Sequence, residues 1–244
     1  MTTDPSKSAA ARFYQASHDR LVRSNPDVSF RDVSAAAGLQ AISKPGHRYY
    51  CVYEHLSRHP GQNVVELGFG SPALINAVAA TCSHITIVDI VDRTQSVPLS
   101  SNVRLRVANL DDQFPFDDAE FDCVCAMMVV EHLFDPFHAF REIARILKVG
   151  GHAFVNLPNI ASIRCRLQLL AGRMPITSSY DWFEKQEWDG NHLHYFTVAE
   201  VSRLGRLNGL DLLRPYPVGR FRFLKSCRPT LLCHEISYAF LRTG

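Results

Sequence analysis

The segment 63–89 constrains the fold more than any other part of the sequence, because its pattern predicts a strand, a glycine turn, a helix and a second strand. An apolar run before Glu66 predicts a buried strand, and Gly68 and Gly70 allow a sharp turn with close approach of the backbone to a ligand. Asp89 ends the next strand, where a carboxylate can accept hydrogen bonds from a ribose diol. The pattern therefore predicts a ligand that carries a ribose.

The residues around the glycine turn favour one cofactor over another. The turn alone also matches a dinucleotide fingerprint. Glu66, however, would repel a pyrophosphate and attract a cationic ammonium or sulfonium group. Pro72, in the first turn of the helix, lacks an N–H that a phosphate site would use. Both features favour S-adenosylmethionine. Two alternatives remain: Glu66 only caps the following helix, or the chain is a nicotinamide-dependent oxidoreductase.

The composition predicts one large core and names no macromolecular partner. The 244 residues are 46% hydrophobic, and the formal net charge of +2 is too small to indicate nucleic acid or an anionic membrane. No apolar run is long enough to span a bilayer and the N-terminus lacks the features of a signal peptide, so we expect a cytoplasmic protein. The seven cysteines have no zinc-like spacing, which predicts reduced core residues.

Helical and extended patterns divide the chain into parts. Residues 1–60 predict an N-terminal helical cap and residues 61–244 the core, with a lid insertion at about 160–196 that includes an aromatic, charged stretch. Alternating strands and helices indicate an α/β fold with a parallel sheet covered on both faces. Strands are expected at 63–67, 84–89, 102–107, 121–126, 150–157, 210–216 and 235–242, and helical or turn-rich stretches at 72–81, 90–101, 108–120 and 134–147.

Three further segments carry a resemblance to a known family. They are the loop Phe114–Asp122, the strand exit Val130–Pro136, and the helix and glycine turn Glu142–Gly151. With the glycine turn at 68–70, they resemble class I S-adenosylmethionine-dependent methyltransferases that act on small molecules. The resemblance implies a Rossmann-like, seven-stranded, mostly parallel sheet with helices on both faces and a last strand inserted antiparallel beside the sixth. The helical cap and the lid are expected from the patterns of this chain.

The resemblance also implies which residues bind the cofactor. Asn109 is expected to meet the adenine amino group through its side-chain oxygen, and the backbone N–H of Leu110 a ring nitrogen. Pro72 replaces a glycine of the family and Asn109 an aspartate, which makes weaker binding plausible without excluding it. The predicted cofactor-binding residues are Glu66, Gly68, Gly70, Asp89, Ile90, Asn109, Leu110 and Met127.

Methyl transfer to a hydroxyl group needs alignment of two reactants and removal of a proton. His132 follows the fourth strand, at the edge where ligands of open α/β folds bind, and we predict that it is the catalytic base. A packing role for this histidine is an alternative. In N- or C-methylation it would only orient the acceptor, and a non-catalytic module would bind the cofactor without transferring its methyl group.

The acceptor is expected to be a sugar-containing or natural-product small molecule. Asn159, Trp182, His192 and His194 are predicted to bind it, because they lie at the end of the fifth strand and in the expected lid. The two histidines alternate on an extended segment, but no carboxylate is evident as a third ligand, so we predict no metal. A homodimer is possible on this reasoning, and nucleic acid is not expected.

Overall fold

The computed structural model describes residue 12, residues 34–92, 98–178, 184 and 188–244, and only the backbone at position 222. Most of segment 1–33 of the expected cap, and Trp182 in the expected lid, lie outside the described residues. The described part contains a seven-stranded sheet with the order β3-β2-β1-β4-β5-β7-β6. Its strands are β1 Asn63–Leu67, β2 His84–Asp89, β3 Val103–Val107, β4 Phe121–Met127, β5 Leu147–Pro158, β6 Leu210–Pro217 and β7 Glu235–Arg242.

Strand directions confirm the predicted topology. Strands β1 to β5 pair in parallel, and β7 lies between β5 and β6 and is antiparallel to both. Helices accompany the strands along the chain. Those with both ends in the described ranges are α1 Ala35–Ile42, α2 Tyr50–Arg58, α3 Pro72–Ala79, α4 Pro136–Ile146, α5 Ile163–Leu170, α6 Val198–Leu207, α7 Arg222–Cys227 and α8 Pro229–Leu232.

Two apolar clusters cover the two faces of the sheet. On one face, side chains of α1, α2 and α3 pack against strand residues such as Val64 and Ile85. On the other face, α4 and α6 pack against residues such as Val65 and Val124. The alternation of adjacent strand residues between faces explains why Val64 and Val65 belong to different clusters. The central strands are therefore buried on both sides, which is typical of a parallel sheet.

The structure changes two details of the sequence interpretation, the packing of segment 34–58 and the start of β5. Segment 34–58 forms a helical layer on the sheet rather than a separate cap, because Ile42, Val52 and Leu56 are fully buried there. The described residues in 90–101 and 108–120, predicted as helical or turn-rich, form turns and bends. β5 begins at Leu147, before the glycine turn, instead of at residue 150. No helix among the described residues is long and apolar enough to cross a membrane.

Arg145 of α4 explains why two of the family-like segments occur together. Its guanidinium donates to the carbonyl oxygens of Phe114 and Phe116 and pairs with the carboxylate of Glu142. Glu142 in turn accepts a hydrogen bond from the backbone N–H of Phe114 at 2.8 Å. A forked, permanently charged donor can hold several acceptors at once. The residue thereby fixes the loop that leads into β4.

The turn after β1 needs a glycine for two separate reasons. Gly68 has a φ of +86°, and a Cβ atom there would lie 2.7 Å from Cγ2 of Val129. Its N–H donates to the carbonyl of Val88 at 2.7 Å. A side chain at this position would meet both backbone strain and a steric clash. The turn thus holds the end of β1 close to the segment that follows β4.

Replacing Gly68 with alanine tests this close approach, and Gly61 provides a matched control. Gly61 has a φ of +81°, and a Cβ atom at this position would meet no other atom within 4 Å. We expect Gly61→Ala to lower the free energy of unfolding by about 1 kcal/mol from backbone strain alone. Gly68→Ala should lower the free energy of unfolding by about 1–3 kcal/mol more through overpacking. Adding Val129→Ala to that variant should recover part of the extra loss. Urea denaturation measures all three; equal losses for the two alanine variants would contradict the clash.

Candidate functional site

A cleft of about 440 Å³ lies at the carboxyl edge of the sheet, over the ends of β1 to β4. Such a volume falls within the range of small-molecule sites. The cleft is also at the place where ligands of open α/β folds bind. Its walls are formed by Arg48, Gly68, Phe69, Gly70, Asp89, Ile90, Ala108, Asn109, Leu110, Asp111, Met127, Met128, Val129, His132, Leu133, Gly190 and Asn191.

Asp89 anchors the glycine turn and faces the cleft. Its Oδ2 accepts from the N–H of Phe69 at 2.7 Å, and its Oδ1 accepts from the N–H of Val91 at 2.9 Å. A carboxylate offers about four acceptor positions, so two backbone donors leave capacity for the two hydroxyl groups of a ribose. Asp89 is therefore placed by β2 and held in orientation by the turn after β1.

Glu66 lies beneath the turn rather than in the cleft wall. The side chain is buried, and its Oε1 accepts a hydrogen bond from the hydroxyl of Tyr49 at 2.9 Å. Its Oε2 has no hydrogen-bond partner within the described part of the chain. Burial raises the pKa of Glu66 to about 8. An ammonium group above the turn would supply the missing partner and favour the ionised carboxylate.

Asn109 and Leu110 extend the cleft beyond β3. The Oδ1 atom of Asn109 accepts from the N–H of Asp111 at 3.2 Å, which retains a second lone pair for another donor. Asp111 also accepts from the N–H of Phe134 at 2.7 Å. Burial raises the pKa of Asp111. These bonds tie the loop after β3 to the segment after β4, and both segments line the cleft.

The sheet order arranges the predicted cofactor residues in a row. Asn109 follows β3, Asp89 ends β2, Gly68 follows β1 and Met127 ends β4, and these strands are neighbours in that order. Neighbouring strands lie about 4.8 Å apart, so the row is long enough for a base, a ribose and an amino-acid tail. The donors and acceptors present therefore fit S-adenosylmethionine.

A second group of polar residues lies after β4, and His132 is the member of it that lines the cleft. His132 and His192 have ring centroids 4.9 Å apart at an interplanar angle of 68°. Nδ1 of His132 lies 3.1 Å from the carbonyl oxygen of Asn191 and therefore donates to it. Glu131, which precedes His132, is completely buried. Neither of its carboxylate oxygens has a hydrogen-bond partner among the residues described.

Burial controls the protonation of this group. It raises the pKa of Glu131 to about 8 and lowers the pKa of His132. Burial, together with the nearby His132, lowers the pKa of His192 to about 4. Burial opposes ionisation of Asp189 as well, but hydrogen bonds from Thr177 and Ser178 outweigh it and lower the pKa of Asp189. Both imidazoles are thus neutral at pH 7.

The residues predicted to bind the acceptor do not lie together. Asn159 is fully buried, and its amide group donates to the carbonyls of Thr230 and Cys233 while its oxygen accepts from Ala161. This bonding gives Asn159 a structural role, so its predicted contact with the acceptor has no support. His194 is half-buried, and its Nε2 lies 3.1 Å from the carbonyl oxygen of Phe134. His192 is buried beside His132, and Trp182 lies outside the described residues.

Several residues at the site were missed by the sequence interpretation. Arg48 lines the cleft and pairs with Glu235 at 3.0 Å, and Tyr49 holds Glu66. Both belong to the segment predicted as a cap, where no local pattern indicates a site. Glu131 and Asp189 were missed because their burial depends on contacts between distant segments. In the sequence, the adjacency of Glu131 and His132 was the one feature that could have indicated this group.

Comparison with known proteins matches the central part of the chain to a methyltransferase. Residues 65–155 match the family model of a methyltransferase domain. A ubiquinone biosynthesis O-methyltransferase of Xanthomonas campestris is 32% identical over 106 residues, which cover 41% of this chain and 44% of that protein. The corresponding protein of Aeromonas salmonicida is 23% identical over 158 residues, or 62% of this chain and 63% of that protein. The chain thus matches less than two thirds of the length of these relatives.

Solved structures share the fold. An S-adenosylmethionine-dependent methyltransferase of Mesorhizobium loti aligns with a TM-score of 0.60 and 14% identity over 80% of this chain and 97% of that chain. The 1,6-didemethyltoxoflavin-N1-methyltransferase of Burkholderia thailandensis, solved with S-adenosylhomocysteine, aligns with a TM-score of 0.54 and 16% identity over 97% and 92%. The fold and the domain match confirm the resemblance to class I methyltransferases and support S-adenosylmethionine as the cofactor.

The raised pKa of Glu66 predicts that cofactor binding strengthens with pH. The buried carboxyl must lose its proton before it can attract an ammonium group, and its pKa is about 8. Between pH 6 and pH 8 the dissociation constant of S-adenosylhomocysteine is expected to fall by roughly tenfold or more. Isothermal titration calorimetry measures it. Glu66→Gln should remove this dependence, and an unchanged pH profile in that variant would contradict the assignment.

Proposed function

We propose that this chain is a methyltransferase that uses S-adenosylmethionine to methylate a hydroxyl oxygen of a small molecule. The observation that carries the proposal is the cleft itself, in which Asp89 at the end of β2 and His132 after β4 lie on either side of the glycine turn. One end of the cleft suits a ribose and the other holds a neutral imidazole. The naming of two relatives as O-methyltransferases supports oxygen as the methylated atom.

The cofactor, when bound, supplies an activated methyl group that an oxygen nucleophile can displace in line. The contribution of the chain is to align the two reactants and to exclude water. Asp89 and the backbone around Leu110 hold the nucleoside part, and the buried Glu66 attracts the amino-acid part. Met127 and the turn at Gly68 shape the wall between them. These residues bind the cofactor and carry out no chemistry of their own.

His132 is proposed to accept the proton of the acceptor hydroxyl. Because a carbonyl oxygen only accepts, the bond to Asn191 places the proton of the neutral imidazole on Nδ1 and the lone pair on Nε2. The lowered pKa keeps this lone pair unprotonated at neutral pH. Fixing a tautomer through the second nitrogen is how catalytic histidines are commonly oriented.

The weak basicity of His132 favours an acidic hydroxyl group as acceptor. A phenol has a pKa of about 10, as in tyrosine, whereas an aliphatic alcohol is close to water at about 16. A base whose pKa is lowered by burial matches the phenol better. A phenolic acceptor is therefore preferred to the sugar hydroxyl expected from the sequence. Arg48 at the cleft wall provides a positive charge that would suit an anionic substituent.

Transfer of a labelled methyl group tests the function directly. The purified chain is incubated with labelled S-adenosylmethionine and separate sets of phenols, sugar derivatives and amines. We expect labelled methyl ethers from phenols. Labelled products from amines alone would show that the chain is an N-methyltransferase instead. Binding of S-adenosylhomocysteine without transfer to any acceptor would favour a non-catalytic module.

The role of His132 predicts a pH-dependent loss of activity on substitution. With the best acceptor, His132→Gln should lower kcat by about a hundredfold, within the range for general bases. Since the pKa of His132 lies below its ordinary value, wild-type activity should fall only under acidic conditions, and this acidic limb should vanish in the variant. His84→Gln, at an exposed position at the start of β2, is the control. Equal activity of both variants would exclude the imidazole as base.

A further inference from the structure

We infer that Glu131, His132 and His192 form a binding site for a divalent transition-metal ion, with Zn²⁺ the best match. One candidate ligand atom from each of the three side chains lies within 4.8 Å of the other two. Two imidazoles and one carboxylate are a common ligand set for Zn²⁺ and related ions. The ligand atoms of a tetrahedral zinc site are about 3.4 Å apart. Side-chain movements of roughly 1 Å would therefore close the site.

The two histidines are already held in the tautomer that a metal requires. His132 donates from Nδ1 to the carbonyl of Asn191, so the lone pair of its neutral ring lies on Nε2. The hydroxyl of Thr177 donates to Asp189 at 2.6 Å and lies 2.7 Å from Nδ1 of His192, from which it must accept. His192 therefore also carries its lone pair on Nε2. Hydrogen bonds of this kind orient histidine ligands in metalloproteins.

Glu131 is the independent observation that points to a ligand. The side chain has no exposed surface, yet both carboxylate oxygens lack a hydrogen-bond partner in the described ranges. Burying a carboxyl group without a partner is costly, and coordination of a cation is one way to compensate for it. Among the buried carboxyl groups of the described residues, Glu131 alone has both oxygens without a hydrogen-bond partner. A cation between Glu131 and the two imidazoles would satisfy both.

The backbone holds the two ligand segments together. The carbonyl oxygen of Glu131 accepts from the N–H of Leu193 at 2.8 Å and from the N–H of His194 at 3.2 Å. These bonds fix the segment around His192 beside the turn that carries Glu131 and His132. The site is thus formed by two paired segments, which reduces the cost of bringing the ligands together.

The position of the site suggests what the ion would do. His132, Gly190 and Asn191 line the cleft, so an open coordination position would face the acceptor. A divalent ion there would hold a hydroxyl group and lower its pKa, and the hydroxyl proton would pass to solvent. The Nε2 lone pair of His132 would then bind the ion rather than accept the proton. This role keeps the methyl transfer of the proposed function but replaces His132 as its base, whereas metal binding itself rests on neither.

Metal binding is tested on the full chain without any acceptor. Chelator-treated protein is titrated with Zn²⁺ against a chromophoric competitor, and with Co²⁺ while its visible absorption is recorded. We expect one ion per chain. Glu131→Gln and His192→Gln should each weaken binding at least tenfold. His194→Gln is the matched control, because this half-buried histidine is two residues from His192 and outside the cluster, and it should bind like the wild type.

Two results would overturn the site: absence of stoichiometric binding in the wild type, or equal affinity in all three variants. Circular dichroism and thermal denaturation show whether each variant is folded. Binding of S-adenosylhomocysteine is measured on the same samples. Metal binding lost with cofactor binding retained would support the site, while cofactor binding that fails in the wild type would instead count against the proposed function. Thus the two proposals fail separately.

Discussion

The parallel pairing of β1 with β2 on one side and β4 on the other is the arrangement on which the site depends. Because the strands run in the same direction, their carboxyl ends meet at one edge, and residues far apart in sequence become neighbours. Gly68 lets the chain turn at that edge while remaining in contact with Val129. A side chain at this position would push apart the two segments that line the centre of the cleft.

Three buried carboxyl groups show how differently the structure treats charge. Asp189 accepts hydrogen bonds from both the backbone N–H and the hydroxyl groups of Thr177 and Ser178, which lower its pKa. Glu66 has one partner, Tyr49, and Glu131 has none for its carboxylate among the described residues. Burial raises the pKa of both glutamates to about 8. Hydrogen bonds to a buried carboxylate can outweigh the effect of desolvation on its pKa. A buried carboxyl group that lacks such bonds can instead be satisfied by a cationic ligand.

The cleft is completed by segments that lie outside the part of the chain matched by the family model. Arg48 and Tyr49 come from the stretch between α1 and α2, and His192 comes from the stretch before α6. The family match covers residues 65–155 and contains none of these three. The matched part of the chain therefore carries most of the residues assigned to the cofactor, whereas the acceptor end is formed in part by segments outside it. Fold alone consequently says little about the acceptor.

The sequence determined the sheet, the glycine turn and the cofactor, because strand periodicity, left-handed glycines and a carboxylate at a strand end are local properties that neighbouring residues reveal. It also placed His132 correctly after β4. Only the tertiary structure decided that Asn159 supports the chain around Cys233, and that His192 lies beside Glu131 and His132. Those contacts join residues many positions apart, and burial and pKa depend on such contacts rather than on local pattern.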